Sequence, residues 1–217
     1  MTDLTKLYEA VLNGDSKGSV VITKEAIAEN IDPMELITKH MIPAMDEVGR
    51  RFECSEYFVP ELLLSARAMK GALELLRPLL AASGAQPLGR VVIGTVKGDL
   101  HDIGKNLVAS MLEGSGFDVH DLGTDVTPEK FIQAVQEHQA HVVCLSALLT
   151  VTLPAMKTTI TALECAGLRR KVKVLVGGAP VTAQYAQQIG ADGYGENANT
   201  AVALARRMIA EAAPQVV

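Results

Sequence analysis

The sequence predicts an α/β protein in two parts, an antiparallel four-helix bundle over residues 1–87 and a doubly wound parallel sheet of five strands over 88–217. Three observations predict it. Up to about Leu80, apolar residues recur at spacings of three and four, the period of helices with one buried face. After Gly89 the texture changes to short β-branched runs separated by helical stretches, the alternation that builds a parallel sheet covered on both faces. Between the two, the segment 81–89 is small, polar and punctuated by Gly and Pro, as an interdomain linker is.

In the first part, Asp3 can cap the first helix and Gly14-Asp15-Ser16 breaks it. Asn30-Ile31-Asp32-Pro33 ends the second, and Pro33 suits the first turn of a third because that position has no helical partner for an N–H. Pro60 opens the fourth in the same way, and its periodicity places Leu63, Ala66, Met69, Leu73 and Leu76 on one buried face. Links this short favour antiparallel packing. In the second part the strands are expected over 91–96, 118–122, 142–146, 172–176 and 193–194. The helices that follow them are expected over 103–114, 128–138, 152–166, 182–189 and 197–212. No internal repeat or low-complexity tract is present in either part.

Composition narrows the function classes. Of 217 residues, 48% are hydrophobic and 21% charged, so the chain can bury a sizeable core and is neither disordered nor fibrous. A formal net charge of -5 with no basic cluster argues against nucleic acid as a partner, since phosphate-backbone binding needs grouped Lys and Arg. No apolar run approaches the length of a membrane span, and the start MTDLTKLYEA lacks a signal-peptide pattern, so a cytoplasmic location with no membrane partner is expected. Cys54, Cys144 and Cys165 are odd in number and form no C-x-x-C pair. They are expected to be small buried apolar residues.

In a doubly wound sheet of flavodoxin-like (Rossmann-like) order, ligands sit beyond the carboxyl ends of the first and third strands, where the order reverses. The loops leaving those strands are Lys97-Gly98-Asp99-Leu100-His101-Asp102 and Ser146-Ala147-Leu148-Leu149-Thr150. A phosphate-loop reading of Gly98 to Lys105 fails on spacing. Five residues separate Gly98 from Gly104 where that motif has four, and Asn106 stands where a Ser or Thr would meet magnesium. Asp99-x-His101 makes better sense as a metal ligand with a carboxylate on its far nitrogen, fixing the tautomer and raising ligand basicity. A single protein ligand suffices if the metal arrives in a macrocycle. Taken alone, the same residues equally describe a surface histidine hydrogen-bonded to a neighbour. His138-x-x-His141 has ligand spacing but spans a helix end and a strand start, which solvent exposure explains better.

Three motifs stand in order: Asp99-Leu100-His101-Asp102-Ile103-Gly104, Ser146-Ala147-Leu148 and Gly177-Gly178. In this the chain resembles the cobalamin-binding region of methionine synthase and the small corrinoid proteins of methanol and methylamine methyltransferase systems. The string VVIGTVKGDLHDIGKNLV is similar to that family's first strand, loop and helix, and the resemblance runs from about residue 35 to 195. It implies a bound cobalamin or related corrinoid whose own nucleotide base leaves the cobalt, with His101 replacing it as lower axial ligand. Asp99 and Thr152 would form a relay behind His101, and Ser146 would bond the displaced, buried base while Gly177 and Gly178 leave it room. Gly98, Asp102, Ile103, Gly104, Leu148 and Thr150 are further implied contacts. Each has a plainer reading: Ser146 ends a strand, Gly177-Gly178 makes a turn, and Thr152 caps a helix.

The helical part resembles the family's cap over the upper corrin face. The segment 51–61 carries Phe52 and Val59 at the positions that touch that face, Val59 being smaller than the leucine often found there, and both could instead be core. The resemblance implies a methyl carrier that does not catalyse alone. Its expected partners are a substrate:corrinoid methyltransferase, a corrinoid:acceptor methyltransferase acting on tetrahydrofolate or a thiol, and a reductive activase. A substrate barrel has no room in 217 residues already used by bundle and sheet. Alternatives of other classes are an adenosylcobalamin-dependent mutase subunit, against which the helical cap argues, and a cobalamin-binding sensor or regulator, for which no DNA-binding helix pair is evident.

Overall fold

The computed structural model describes residues 2–82 and 87–212; residues 83–86 of the expected linker lie outside the described residues. Two compact units divide the chain, Met1–Pro87 with Ser110–Gly116 and Leu88–Ala109 with Phe117–Val217.

The first unit is built on helices α1 (Thr5–Leu12), α2 (Ser16–Ala28), α3 (Pro33–Glu35), α4 (Ile42–Glu53) and α5 (Val59–Ala82). A π-helical turn, Leu36–Met41, joins α3 to α4. Pro43 follows that widened turn directly; it has no N–H to give and its ring crowds the turn before it, so a regular α-helix could not run straight through. The caps follow the sequence. Asp3 accepts the N–H of Thr5 at 3.2 Å, Asp15 that of Gly18 at 2.9 Å, and Asp32 that of Met34 at 3.0 Å. Gly14 turns the chain with φ 70°, and a β-carbon there would stand 2.5 Å from Leu64 Cβ.

Two buried serines staple the helices. Ser19 Oγ donates to the Ala68 carbonyl at 2.9 Å, and Ser65 Oγ to that of Leu12 at 3.0 Å. Ser16 lies near Gly71 while Ser19 meets Ala68, so α2 and α5 run antiparallel. Leu7, Leu36, Met41, Met45, Leu62, Met69 and Leu76 fill the interior. Leu63 does not belong to it. Leu63 is 42% exposed, whereas Leu62 is 0% exposed and starts the buried stripe that continues through Ala66, Met69, Leu73 and Leu76. Spacings of three or four from Ala66 reach either residue, so the first turn of α5 was the place where periodicity could mislead.

The second unit alternates β1 (Arg90–Thr95), α6 (Ile103–Gly114), β2 (Asp118–Asp121), α7 (Pro128–His138), β3 (Val142–Ser146), α8 (Leu153–Cys165), β4 (Lys173–Gly177), α9 (Ala183–Gln188), β5 (Gly193–Gly195) and α10 (Ala198–Ala212). The five strands are parallel in the order β2-β1-β3-β4-β5, the expected doubly wound sheet. Strands β1 and β3 are buried nearly throughout because both their faces are covered, while edge strand β2 is half-buried. Gly94 lets α7 lie close on the sheet, since a β-carbon there would stand 2.9 Å from the Phe131 ring. Of the cysteines, Cys144 on β3 is buried, but Cys54 and Cys165 are exposed where α4 and α8 end in turns, correcting the expectation that all three are interior. No helix among the described residues is long and apolar enough to cross a membrane.

The stripe assignment on α5 has a direct consequence. Leu62→Ala is expected to destabilise the protein by about 2–5 kcal/mol and Leu63→Ala by less than about 1 kcal/mol, measured by denaturant unfolding. Equal losses at the two positions would contradict this packing.

Candidate functional site

The strand order reverses between β1 and β3, so the loops leaving their carboxyl ends diverge there and open a crevice. Thr95, the last residue of β1 and fully buried, donates its hydroxyl to the His101 carbonyl at 2.8 Å and so folds the loop 96–102 back onto the strand. The turn passes through Gly98 with φ 85°, a backbone angle that a β-carbon disfavours.

The loop delivers Asp99 into the protein and His101 onto its surface. Asp99 is 1% exposed. Its Oδ1 accepts the His101 N–H at 3.1 Å and meets His101 Nδ1 at 2.7 Å. Its Oδ2 accepts from Thr152 Oγ1 at 2.7 Å, Leu148 N at 2.8 Å and Leu149 N at 3.2 Å. Burial pushes the carboxyl pKa up, but the bonds from Thr152, the His101 and Leu148 amides and the His101 ring outweigh it and hold the group well below the usual carboxylate range. An ionised carboxylate only accepts, so Nδ1 carries the proton and Nε2 keeps a free lone pair. The imidazole, 48% exposed, therefore presents one donor nitrogen to the solvent side.

The same loops and the helix starts beyond them carry exposed aliphatic side chains. Leu100 is 73% exposed, Ile103 85% and Val151 81%, with Leu148 and Leu149 also exposed. Folding does not bury these side chains, which makes this end of the sheet a candidate binding surface. Gly104 adds open space, since a β-carbon there would meet nothing within 4 Å. Among the described residues no group of three His, Cys, Asp or Glu side chains is arranged to hold a metal ion. A planar, apolar-edged macrocycle carrying its own metal fits this donor set; a bare ion does not.

The other expected site residues fall into place unevenly. Thr152 does not cap α8 with its side chain: it ends the 3-10 turn Thr150–Thr152 and gives its hydroxyl to Asp99 or, at 2.8 Å, to the Leu149 carbonyl. Thr150 is exposed on the same turn. Asp102 is exposed and receives Asn106 Nδ2 at 3.1 Å. Ser146 ends β3, and its hydroxyl has no hydrogen-bond partner among the described residues. Gly177 ends β4 and Gly178 follows it. With φ 126° and a would-be β-carbon 1.9 Å from the Ala147 carbonyl oxygen, Gly178 is glycine because the chain's own backbone requires it. Phe52 is half-buried and Val59 41% exposed, one helical turn from exposed Leu63, so Val59 is not core.

Lys105, in the helix that follows the loop, is buried: its side chain is 1% exposed and pairs with Asp121 and Asn106. His138 and His141 do not converge. The His138 ring stacks on His120 at 3.6 Å, whereas exposed His141 accepts the Arg90 N–H at 3.0 Å. Sequence reasoning missed Thr95 and the Leu148 and Leu149 amides; backbone donors leave no mark on a sequence, and a strand-end threonine is too common to stand out.

The second unit matches the B12 binding domain family over residues 89–203, and a second B12 binding domain family matches residues 4–77. The chain is 44% identical over 209 residues to the dimethylamine corrinoid protein of Methanosarcina barkeri, covering 95% of this chain and 97% of that one. It is 44% identical to the trimethylamine corrinoid protein of the same organism, covering 92% and 93%. A cobalamin-binding protein from Desulfitobacterium hafniense superposes with a TM-score of 0.80 at 35% identity over 96% of this chain and 99% of that one. The methanol:cobalamin methyltransferase complex of Methanosarcina barkeri gives 0.84 at 32% identity, covering 95% of this chain and 79% of that one.

The geometry of Asp99 is testable without any ligand. Asp99→Asn puts an NH2 where one of two accepting oxygens stood, and is expected to cost the cofactor-free protein about 1–3 kcal/mol. Folding lowers this group's pKa from its ordinary 3.8, so its stabilisation is present above that pH and is lost as pH falls below it. Denaturant unfolding at a series of pH values should therefore show the variant losing less stability than the wild type between about pH 4 and about pH 2.

Proposed function

Because the chain belongs to the B12-binding family of corrinoid proteins, we propose that His101 Nε2 is the lower axial ligand of a bound corrinoid and that the protein carries a methyl group between two methyltransferases. The observation that supports this most is the Asp99–His101 pair at 2.7 Å, which leaves one unprotonated nitrogen on loops that carry exposed aliphatic side chains. A bound corrinoid supplies a cobalt centre able to accept and release a methyl group.

The protein's own residues do the rest. Asp99 keeps the proton on Nδ1, so the imidazole meets the metal as a neutral ligand whose basicity the carboxylate raises. Thr152 holds the far oxygen of Asp99 and fixes the plane of the carboxylate. An Nε2 that is not engaged could take up a proton, and Asp99 on Nδ1 would steady the resulting imidazolium. The exposed side chains of Leu100, Ile103, Leu148, Leu149 and Val151 would pack against a bound corrinoid and exclude water from its contact with His101. Ser146 Oγ and the open space at Gly104 suit the ligand's polar periphery.

The chemistry on this chain ends there. Selection of donor and acceptor would fall to a substrate:corrinoid methyltransferase and a corrinoid:acceptor methyltransferase, and recovery of oxidised cobalt to a reductive activase. The helical unit, matched over its own length, favours the carrier over a mutase subunit.

Electron spin resonance of the cobalt(II) holoprotein tests the axial bond. With [15N]histidine, the hyperfine pattern on the cobalt lines is expected to change from that of one 14N to that of one 15N. His101→Ala should abolish that coupling and weaken corrinoid binding by roughly tenfold or more. Unchanged spectra in both experiments would end the proposal.

A further inference from the structure

Asp125 lies in the loop after β2 and holds φ 54°, in the left-handed region that residues with side chains seldom occupy. Three bonds account for it. Its Oδ1 accepts the Gly98 N–H at 2.8 Å, its Oδ2 accepts Lys97 Nζ at 3.0 Å, and its own N–H donates to the Asp99 carbonyl at 2.9 Å. The surrounding strand geometry sets these up. Beyond β2 the chain stays alongside β1, with the Thr95 N–H on the Gly123 carbonyl, the Val126 N–H on the Thr95 carbonyl and a parallel bridge from Val96 to Val126.

Asp125 therefore grips the Lys97–Gly98 peptide through its N–H and the Asp99–Leu100 peptide through its carbonyl, one on each side of the segment that aims Asp99. The side-chain bonds of Asp99 to His101, Thr152, Leu148 and Leu149 depend on where its backbone stands, and a hydrogen bond of 2.7 Å does not survive a displacement of about 1 Å. Gly98 itself offers no resistance, for glycine adopts many backbone angles freely.

We infer that Asp125 is a positioning residue for the axial imidazole: by pinning the Gly98 and Asp99 peptides it holds the Asp99 carboxylate against His101 Nδ1. The inference rests on the reading of His101 as the axial ligand. The Lys97 ion pair is not the operative part, because its side chains are 55% and 42% exposed and such pairs contribute little. The operative part is the carboxylate oxygen on Gly98 N–H, bound to a backbone angle that only Asp, Asn or Gly takes easily.

Three variants separate these roles. Asp125→Gly keeps the backbone angle and removes the acceptor, Asp125→Asn keeps an acceptor oxygen and the angle, and Lys97→Met removes only the ion pair. In the cofactor-free protein, the Gly98 amide of Asp125→Gly should exchange with solvent about tenfold faster than in the wild type, measured by NMR. In the cobalt(II) cobalamin-loaded protein, the same variant should bind roughly fivefold to tenfold more weakly and show a smaller fraction of molecules with imidazole nitrogen coupling at saturation. Asp125→Asn and Lys97→Met should stay within about twofold of the wild type, and thermal unfolding checks that all remain folded. Wild-type exchange at Gly98, or a wild-type coupled fraction, in Asp125→Gly overturns the inference while His101→Ala still abolishes coupling. If His101→Ala leaves the spectrum unchanged, the axial reading fails and the positioning role falls with it, while faster Gly98 exchange would still record the clamp itself.

Discussion

A buried carboxylate with five donors is the constraint on which the site depends. A charge taken out of water costs several kcal/mol unless its hydrogen-bonding capacity is filled, and at Asp99 it is filled from three places: the loop after β1, the loop after β3 and the 3-10 turn before α8. Any loosening of one of these leaves the charge partly unsatisfied. The carboxylate thus converts the crevice between two diverging loops, which would otherwise be pliable, into a fixed frame. His101 inherits that rigidity through a single bond to Nδ1.

The same constraint explains the contrast between the two faces of the loop. Inward there is a fully bonded anion; outward there is a half-exposed imidazole, and the neighbouring loop residues include aliphatic side chains that folding leaves in water. A protein gains nothing in stability from five exposed aliphatic residues, so these side chains are free to serve the proposed ligand. The helical unit carries exposed aliphatic residues of its own at Val59 and Leu63 on one side of α5. Its interior is closed by other means, the buried stripe beginning at Leu62 and the serine staples.

Much of this was legible in the sequence because it follows from period and punctuation. The runs at 91–96 and 142–146 read as strands since short, mostly β-branched and uncharged stretches alternate with helical ones. Asp99 and His101 were legible as a pair because residues two apart in a turn can face each other. What escaped was set by tertiary geometry. Lys105 is buried, since the end of β2 supplies Asp121 to neutralise it in the interior. Gly178 looked like space for a ligand, and its backbone angle and the Ala147 carbonyl give it a sufficient reason of their own. The choice between Leu62 and Leu63 needed the position of α2 and the first turn of α5, which no local pattern encodes.

The loop region also gathers more carboxylates than the chemistry needs: Asp99, Asp102, Asp121 and Asp125. For only one of them to act on His101, the others need partners of their own. The structure disposes of three of them locally. Asp121 is matched by buried Lys105, Asp102 by the amide of Asn106, and Asp125 by Lys97 and the Gly98 N–H. Only Asp99 touches the ring, and it does so at Nδ1, where a negative charge strengthens the donor on the opposite nitrogen and does not compete for it. The site's electrostatics therefore reduce to one anion on one nitrogen, which fixes the tautomer and the direction in which Nε2 is aimed.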